Sequence, residues 1–253
     1  MIISVVNFTN EILSDADIQK AIRAINRQIE GDYAPYWSFG ATLRLEGRVG
    51  KRPRGNTAPE LRGDAILYVW DRIDVAEADG YHEKNNRGIP YGVVYVDLAR
   101  RLGEDWTVTF SHEALELLGD PQANMLAQGP HPIVAPGRRK GHMVYHWFEM
   151  CDAVQSETYA IDGVQVANFV LPLYFTLDEQ AGGRNDFLGT RYNGRSLASF
   201  GINPGGYIGF FDPLKGKHGS DDQVWHDDIG ASRLDTKKGL KTGRGSMRKT
   251  RRP

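Results

Sequence analysis

One cysteine, Cys151, occurs in 253 residues, so no intrachain disulfide framework can hold this chain together, and a reducing compartment suits it. No run of apolar residues is long enough to span a bilayer, which excludes a helical membrane anchor. The opening stretch MIISVVNFTNEILSD lacks the basic-then-apolar layout of a secretory signal. These absences predict a soluble, cytoplasmic protein. No internal repeat is present, so repeat architectures are set aside. Acidic residues are almost missing from the C-terminus: from Ala231 to Pro253, nine Lys/Arg stand against one acid, Asp235. With a formal net charge of −1, the tail carries +8 and the remainder −9. From Asp212 onward Gly, Ser, Lys and Arg dominate, leaving too little apolar surface to offset chain entropy, so residues 212–253 are expected to form a basic, disordered tail. A weak contact with a polyanion is the partner such a tail suggests.

What is present suffices for a full core, since 40% of the residues are apolar and 25% charged. Ile2 to Phe8 reads as a strand. Ser14 to Glu30 reads as an amphipathic helix, with Ile18, Ala21, Ile22, Ile25 and Ile29 at helical spacing behind a Ser14/Asp17 capping box. Tyr36 to Leu45, Ala65 to Trp70 and Tyr91 to Leu98 read as strands, and KRPRGNTAPELRG between the first two as a surface loop. Trp106 to Leu118 reads as a helix with Asp105 as N-cap, stopped by Gly119, Asp120 and Pro121. Met143 to Val154 has strand character, and Tyr159 to Phe175 reads as a hairpin turning at Asp162-Gly163. The order β-α-β-β-β-α followed by a loop-rich part predicts an α/β (α+β) domain over 1–211, with sheet and helices in 1–121 and a loop- and hairpin-rich subdomain in 122–211.

The helix near residue 112 carries SHEALELLGDP, with His112, Glu113, Glu116 and Asp120 inside an otherwise apolar pattern. One helical turn places His112 and Glu116 on the same face, where an imidazole nitrogen and a carboxylate oxygen can converge on one cation about 2 Å from each. Like charges at i,i+3 and i,i+4 destabilise an isolated helix by a few tenths of a kcal/mol, roughly, and a bound cation removes that cost. Asp120 lies roughly 12 Å along the axis from His112, so it can share the ion only if the chain turns back at Gly119.

The pattern His112-Glu113-x-x-Glu116-x-x-Gly119 resembles the active-site helix of zincin metallopeptidases, with Glu116 replacing the second histidine and Gln122 at the position of the third histidine of the metzincin branch. SHExxExxxDP is also similar to a helix in a group of bacterial and phage proteins. There a later ExxD segment, here Glu149 to Asp152, leads into a DGVxVxNFVxPxxF hairpin, here Asp162 to Phe175. The resemblance covers Ile89 to Phe175. It implies a zincin-like twisted mixed sheet with an N-terminal backing helix and an active-site helix, and a protein associated with phage or a mobile element. It implies Glu113 as general base, His112 and Glu116 as metal ligands, and Glu149 as the completing acid, with Asp152 and Asp120 as competitors. Zinc is the implied metal; the harder ligand set also admits calcium, manganese or iron. A peptide or protein substrate follows, with a catalytically inactive, metal-stabilised binding protein as the alternative.

The remaining candidates have plainer readings. His142 and His146 alternate with strand residues and are expected to pack. His82 in GYHEKN and His131 in GPHP read as loop histidines, either of which could approach the cleft. Cys151 reads as a small buried residue, because no basic neighbour marks it as activated.

Overall fold

The computed structural model of the protein describes residues 1–10, 12–46, 63–71, 80–132, 142–177, 183–213 and 226–230. Along the chain the strands are β1 (Ile2–Phe8), β2 (Thr42–Leu45), β3 (Ala65–Trp70), β4 (Gly80–Lys84), β5 (Pro90–Tyr95), β6 (Leu126–Pro130), β7 (Met143–Trp147), β8 (Thr158–Ile161), β9 (Val164–Ala167), β10 (Tyr207–Phe211) and β11 (His226–Gly230). The helices are α1 (Asp15–Arg27), α2 (Ala34–Trp37), α3 (Val96–Leu102) and α4 (Trp106–Gly119). Two compact units result: Met1–Ala123 with Glu157–Ala167, and Asn124–Ser156 with Asn168–Pro253. The β8–β9 hairpin belongs to the first unit. No helix among the described residues is long and apolar enough to cross a membrane.

The first unit is a mixed α/β structure around a five-stranded sheet in the order β2-β1-β3-β5-β4. β1, β2, β3 and β5 run parallel to their neighbours, while β4 pairs antiparallel with β5 at the edge. All six residues of AILYVW in β3 are buried, which is why this stretch is apolar without alternation. Ser14 and Asp17 close the capping box of α1, and Ile18, Ala21, Ile22 and Ile25 form its buried face. Each buried Ile contributes on the order of 1.5–3 kcal/mol of transfer free energy. α1 then widens into a π-helical turn over Gln28–Tyr33. Asp162 and Gly163, at φ 51° and 73°, form the expected left-handed hairpin turn.

Three expected strands change. Tyr36 and Trp37 lie in α2, where Pro35 occupies the first helical turn and Ser38 at φ 62° ends it. Only Thr42–Leu45 of the expected Tyr36–Leu45 strand pairs with β1. After Tyr95 the chain turns into α3, which an Arg101 to Asp97 hydrogen bond of 2.9 Å supports one turn apart and Gly103 at φ 69° closes. β7 stops at Trp147, and Asp152–Val154 forms a 3₁₀ turn.

The second unit holds a sheet in the order β11-β10-β7-β6, antiparallel throughout. β11 lies inside the segment expected to lack structure. Its HDDIG sequence offers few apolar groups, and what defines it is backbone pairing with β10. The basic stretch from residue 231 onward and the 51–62 part of the expected loop lie outside the described residues.

Candidate metal centre

α4 is buried from Val108 to Gly119, including Thr109, Ser111, His112, Glu113 and Glu116. Within the unit it packs against β9, β5, β4 and β3 and against α3 and α1. Asp105 occupies the N-cap position in an extended conformation without a side-chain bond to the helix. A buried hydrogen-bond network fixes the register of the helix just before His112. Ser111 Oγ donates to Gln28 Oε1 at 2.8 Å and accepts from the Ala167 amide at 3.1 Å, while Gln28 Nε2 donates to the Ala167 carbonyl at 2.8 Å.

Within this frame His112 Nε2 lies 2.8 Å from Glu116 Oε1, the one-turn pairing that the sequence spacing implies. The other carboxylate oxygen, Glu116 Oε2, lies 3.7 Å from Nδ1 of His82, and Glu113 Oε2 lies 3.9 Å from the same nitrogen. The four side chains are at most 3% exposed. His82, expected in a loop, stands on β4, where the period of two puts Gly80 and His82 on the buried face. The sequence allowed this histidine to approach the cleft but did not place it on a strand or among the ligands.

His82 with Glu116, and His112 with Glu116, bring ligand atoms within 4.8 Å of one another. Two imidazoles and two carboxylates in a buried volume are stabilised either by protons on the imidazoles or by a divalent cation, because like charges this close repel strongly at low dielectric. The donor set of nitrogen and carboxylate oxygen suits zinc and also harder divalent ions.

Gly80 is the contact that lets Glu113 reach this position. A Cβ there would stand 2.7 Å from Glu113 Oε1, 2.8 Å from its Cγ and 2.9 Å from Thr109 Cγ2. Gly80→Ala is therefore expected to push Glu113 aside and destabilise the protein by about 2 kcal/mol. Urea denaturation measures this, and an unchanged midpoint would mean that Glu113 is not held against β4.

Asp120 follows the last helical residue, and its amide donates to Glu116 O at 2.8 Å. The helix runs unbroken to Gly119, so Asp120 begins the next turn, with its carbonyl accepting from Ala123 N at 3.0 Å. Glu149, Cys151 and Asp152 belong to the second unit, where all three are buried. The Cys151 thiol is buried, at 0% exposure. Asp152 opens the 3₁₀ turn; burial first and the Asp152 charge second hold the Tyr174 hydroxyl well above the usual phenol range. His146 lies on β7 in stacking range of Phe200, with ring centroids 4.7 Å apart, and so packs as expected.

The fold and this cluster define a mixed α/β protein whose buried histidine and glutamate groups could hold a metal ion. Compared with protein-family models, with curated proteins and with solved structures, the chain matches none.

Proposed function

We propose that His82, His112 and Glu116 hold a divalent cation, zinc in the first instance, and that Glu113 beside them makes the protein a metal-dependent peptidase. The observation that carries this reading is the division of the Glu116 carboxylate, one oxygen toward each imidazole, with Glu113 within 4 Å of His82. A bound zinc ion supplies Lewis acidity, polarising a carbonyl and making water acidic near neutral pH. Glu113 takes the proton of the attacking water on a carboxylate oxygen and delivers it to the leaving amine nitrogen. Ser111 and Gln28 keep the helix from rotating about that geometry. The mixed sheet with α4 against β3, β4 and β5 supports the zincin-like reading of the fold.

A second reading has its own support in the burial of all four side chains. A cation held there ties β4 to α4 and stabilises a non-catalytic binding protein of phage or mobile-element origin. Elemental analysis of the purified chain tests both readings together. This cluster is expected to contribute about one divalent ion per chain, with His112→Ala and His82→Ala each losing that ion and melting at a lower temperature. A metal-free wild-type protein that chelators leave unchanged sinks both.

A further inference from the structure

Three neighbouring strands of the second unit end at the same edge of their sheet. β6 finishes at Pro130, which pairs with Met143 at the start of β7, and β10 finishes at Phe211, which pairs with Tyr145 of β7. The residues just beyond these ends are His131, His142 and Asp212, so antiparallel pairing alone gathers two imidazoles and a carboxylate. The backbone adds a clamp, since His131 N donates to His142 O at 3.0 Å.

The side chains continue that convergence. His142 Nε2 lies 3.0 Å from Asp212 Oδ1, and His131 Nε2 lies 3.8 Å from Asp212 Oδ2. The two imidazole centroids are 4.9 Å apart, and Phe210 sets its ring edge-on to His131 at 5.0 Å. Side-chain exposures are 3% for His142, 2% for Asp212 and 12% for His131. Both rings thus turn the same nitrogen toward one buried carboxylate, each toward its own oxygen. A single His–Asp hydrogen bond needs only one of them.

We propose that His131, His142 and Asp212 form a second divalent-cation site, separate from the cluster on α4. Ligand atoms about 2.0–2.1 Å from a tetrahedral ion sit roughly 3.3 Å from one another, and the observed 3.0 and 3.8 Å separations straddle that spacing. The three do not yet bring one ligand atom each within 4.8 Å of one another, so His131, the most exposed of them, must swing toward its partners to close the set. The mixed imidazole and carboxylate donors suit a borderline transition metal such as zinc, cobalt or iron, with coordination positions left for water or a ligand.

Cobalt(II) titration of the full chain, stripped of metal and followed by visible absorption, tests this. In a His112→Ala background, which disables the first cluster, about one equivalent is expected to bind. Adding Asp212→Asn, or separately His131→Gln, should weaken that binding at least about tenfold. Circular dichroism checks the fold, and if Asp212→Asn does not fold, His131→Gln decides. Binding unaffected by these changes, or no binding in the His112→Ala background, overturns the proposal. A wild-type chain that binds one equivalent, lost with Asp212→Asn and kept in His112→Ala, upholds it while removing the reading of the first cluster.

Discussion

Glu113→Gln is expected to retain the fold and the bound cation and to lose about 10²-fold or more of any peptidase activity. The change keeps the shape of the side chain, so its seat against Gly80 persists and stability stays within about 1 kcal/mol. What disappears is a carboxylate able to accept a proton 3.9 Å from His82 Nδ1. Glu116→Gln, one turn nearer the ligand positions, should act differently. Glu116 faces His112 at 2.8 Å and His82 at 3.7 Å, so its amide analogue is expected to weaken metal binding itself. Cleavage of a peptide library, measured beside metal content for both variants, separates the roles. Undiminished cleavage by Glu113→Gln rules out the assigned base. A wild-type chain that holds metal but cleaves no peptide favours the binding protein instead.

The half of the centre on α4 is legible because its chemistry is local. His112 and Glu116 are one turn apart, and helical periodicity alone predicts their meeting. The half on β4 is not, since GYHEKN is short and polar on both faces, and β4 becomes a strand by pairing with β5. A usable signal was present in the intervening turn. Gly88 sits at φ 75°, and Asn85 Oδ1 accepts from Arg87 N at 2.9 Å and Ile89 N at 3.0 Å, the chemistry of a tight connection between two strands. The Ser111–Gln28–Ala167 network spans 83 and 56 residues of sequence, and no local pattern specifies such pairs. Tyr36 and Trp37 misled for the opposite reason. Aromatic content favours strands on average, yet here Tyr33 stacks on Trp37 at 5.9 Å and Phe39 approaches Tyr33 edge-on at 5.7 Å, so side-chain packing stabilises a short helix.

Stability should also fall as the solution is acidified below the ordinary histidine range, because of His146. Its Nε2 donates to the Pro130 carbonyl at 2.9 Å, and Nδ1 is buried without a hydrogen-bond partner. Protonation would place a charge and a new N–H where neither water nor an acceptor meets it. Burial, opposed by the Pro130 carbonyl and aided by nearby His131, pushes His146 down from 6.5 to about 4. Above pH 6.5 the imidazole is neutral whether the chain is folded or unfolded, and the native state pays no penalty. Between 6.5 and 4 the unfolded chain binds a proton that the folded chain refuses, so unfolding gains about 1.4 kcal/mol per pH unit. The total loss reaches about 3 kcal/mol near pH 4. His146→Gln keeps a donor for the Pro130 carbonyl and removes the titration. Comparing urea denaturation of the two proteins at pH 7 and pH 4.5 cancels the carboxylates they share. The wild type is expected to lose roughly 2–3 kcal/mol more than the variant over that interval, and equal losses would place the acid sensitivity in other groups.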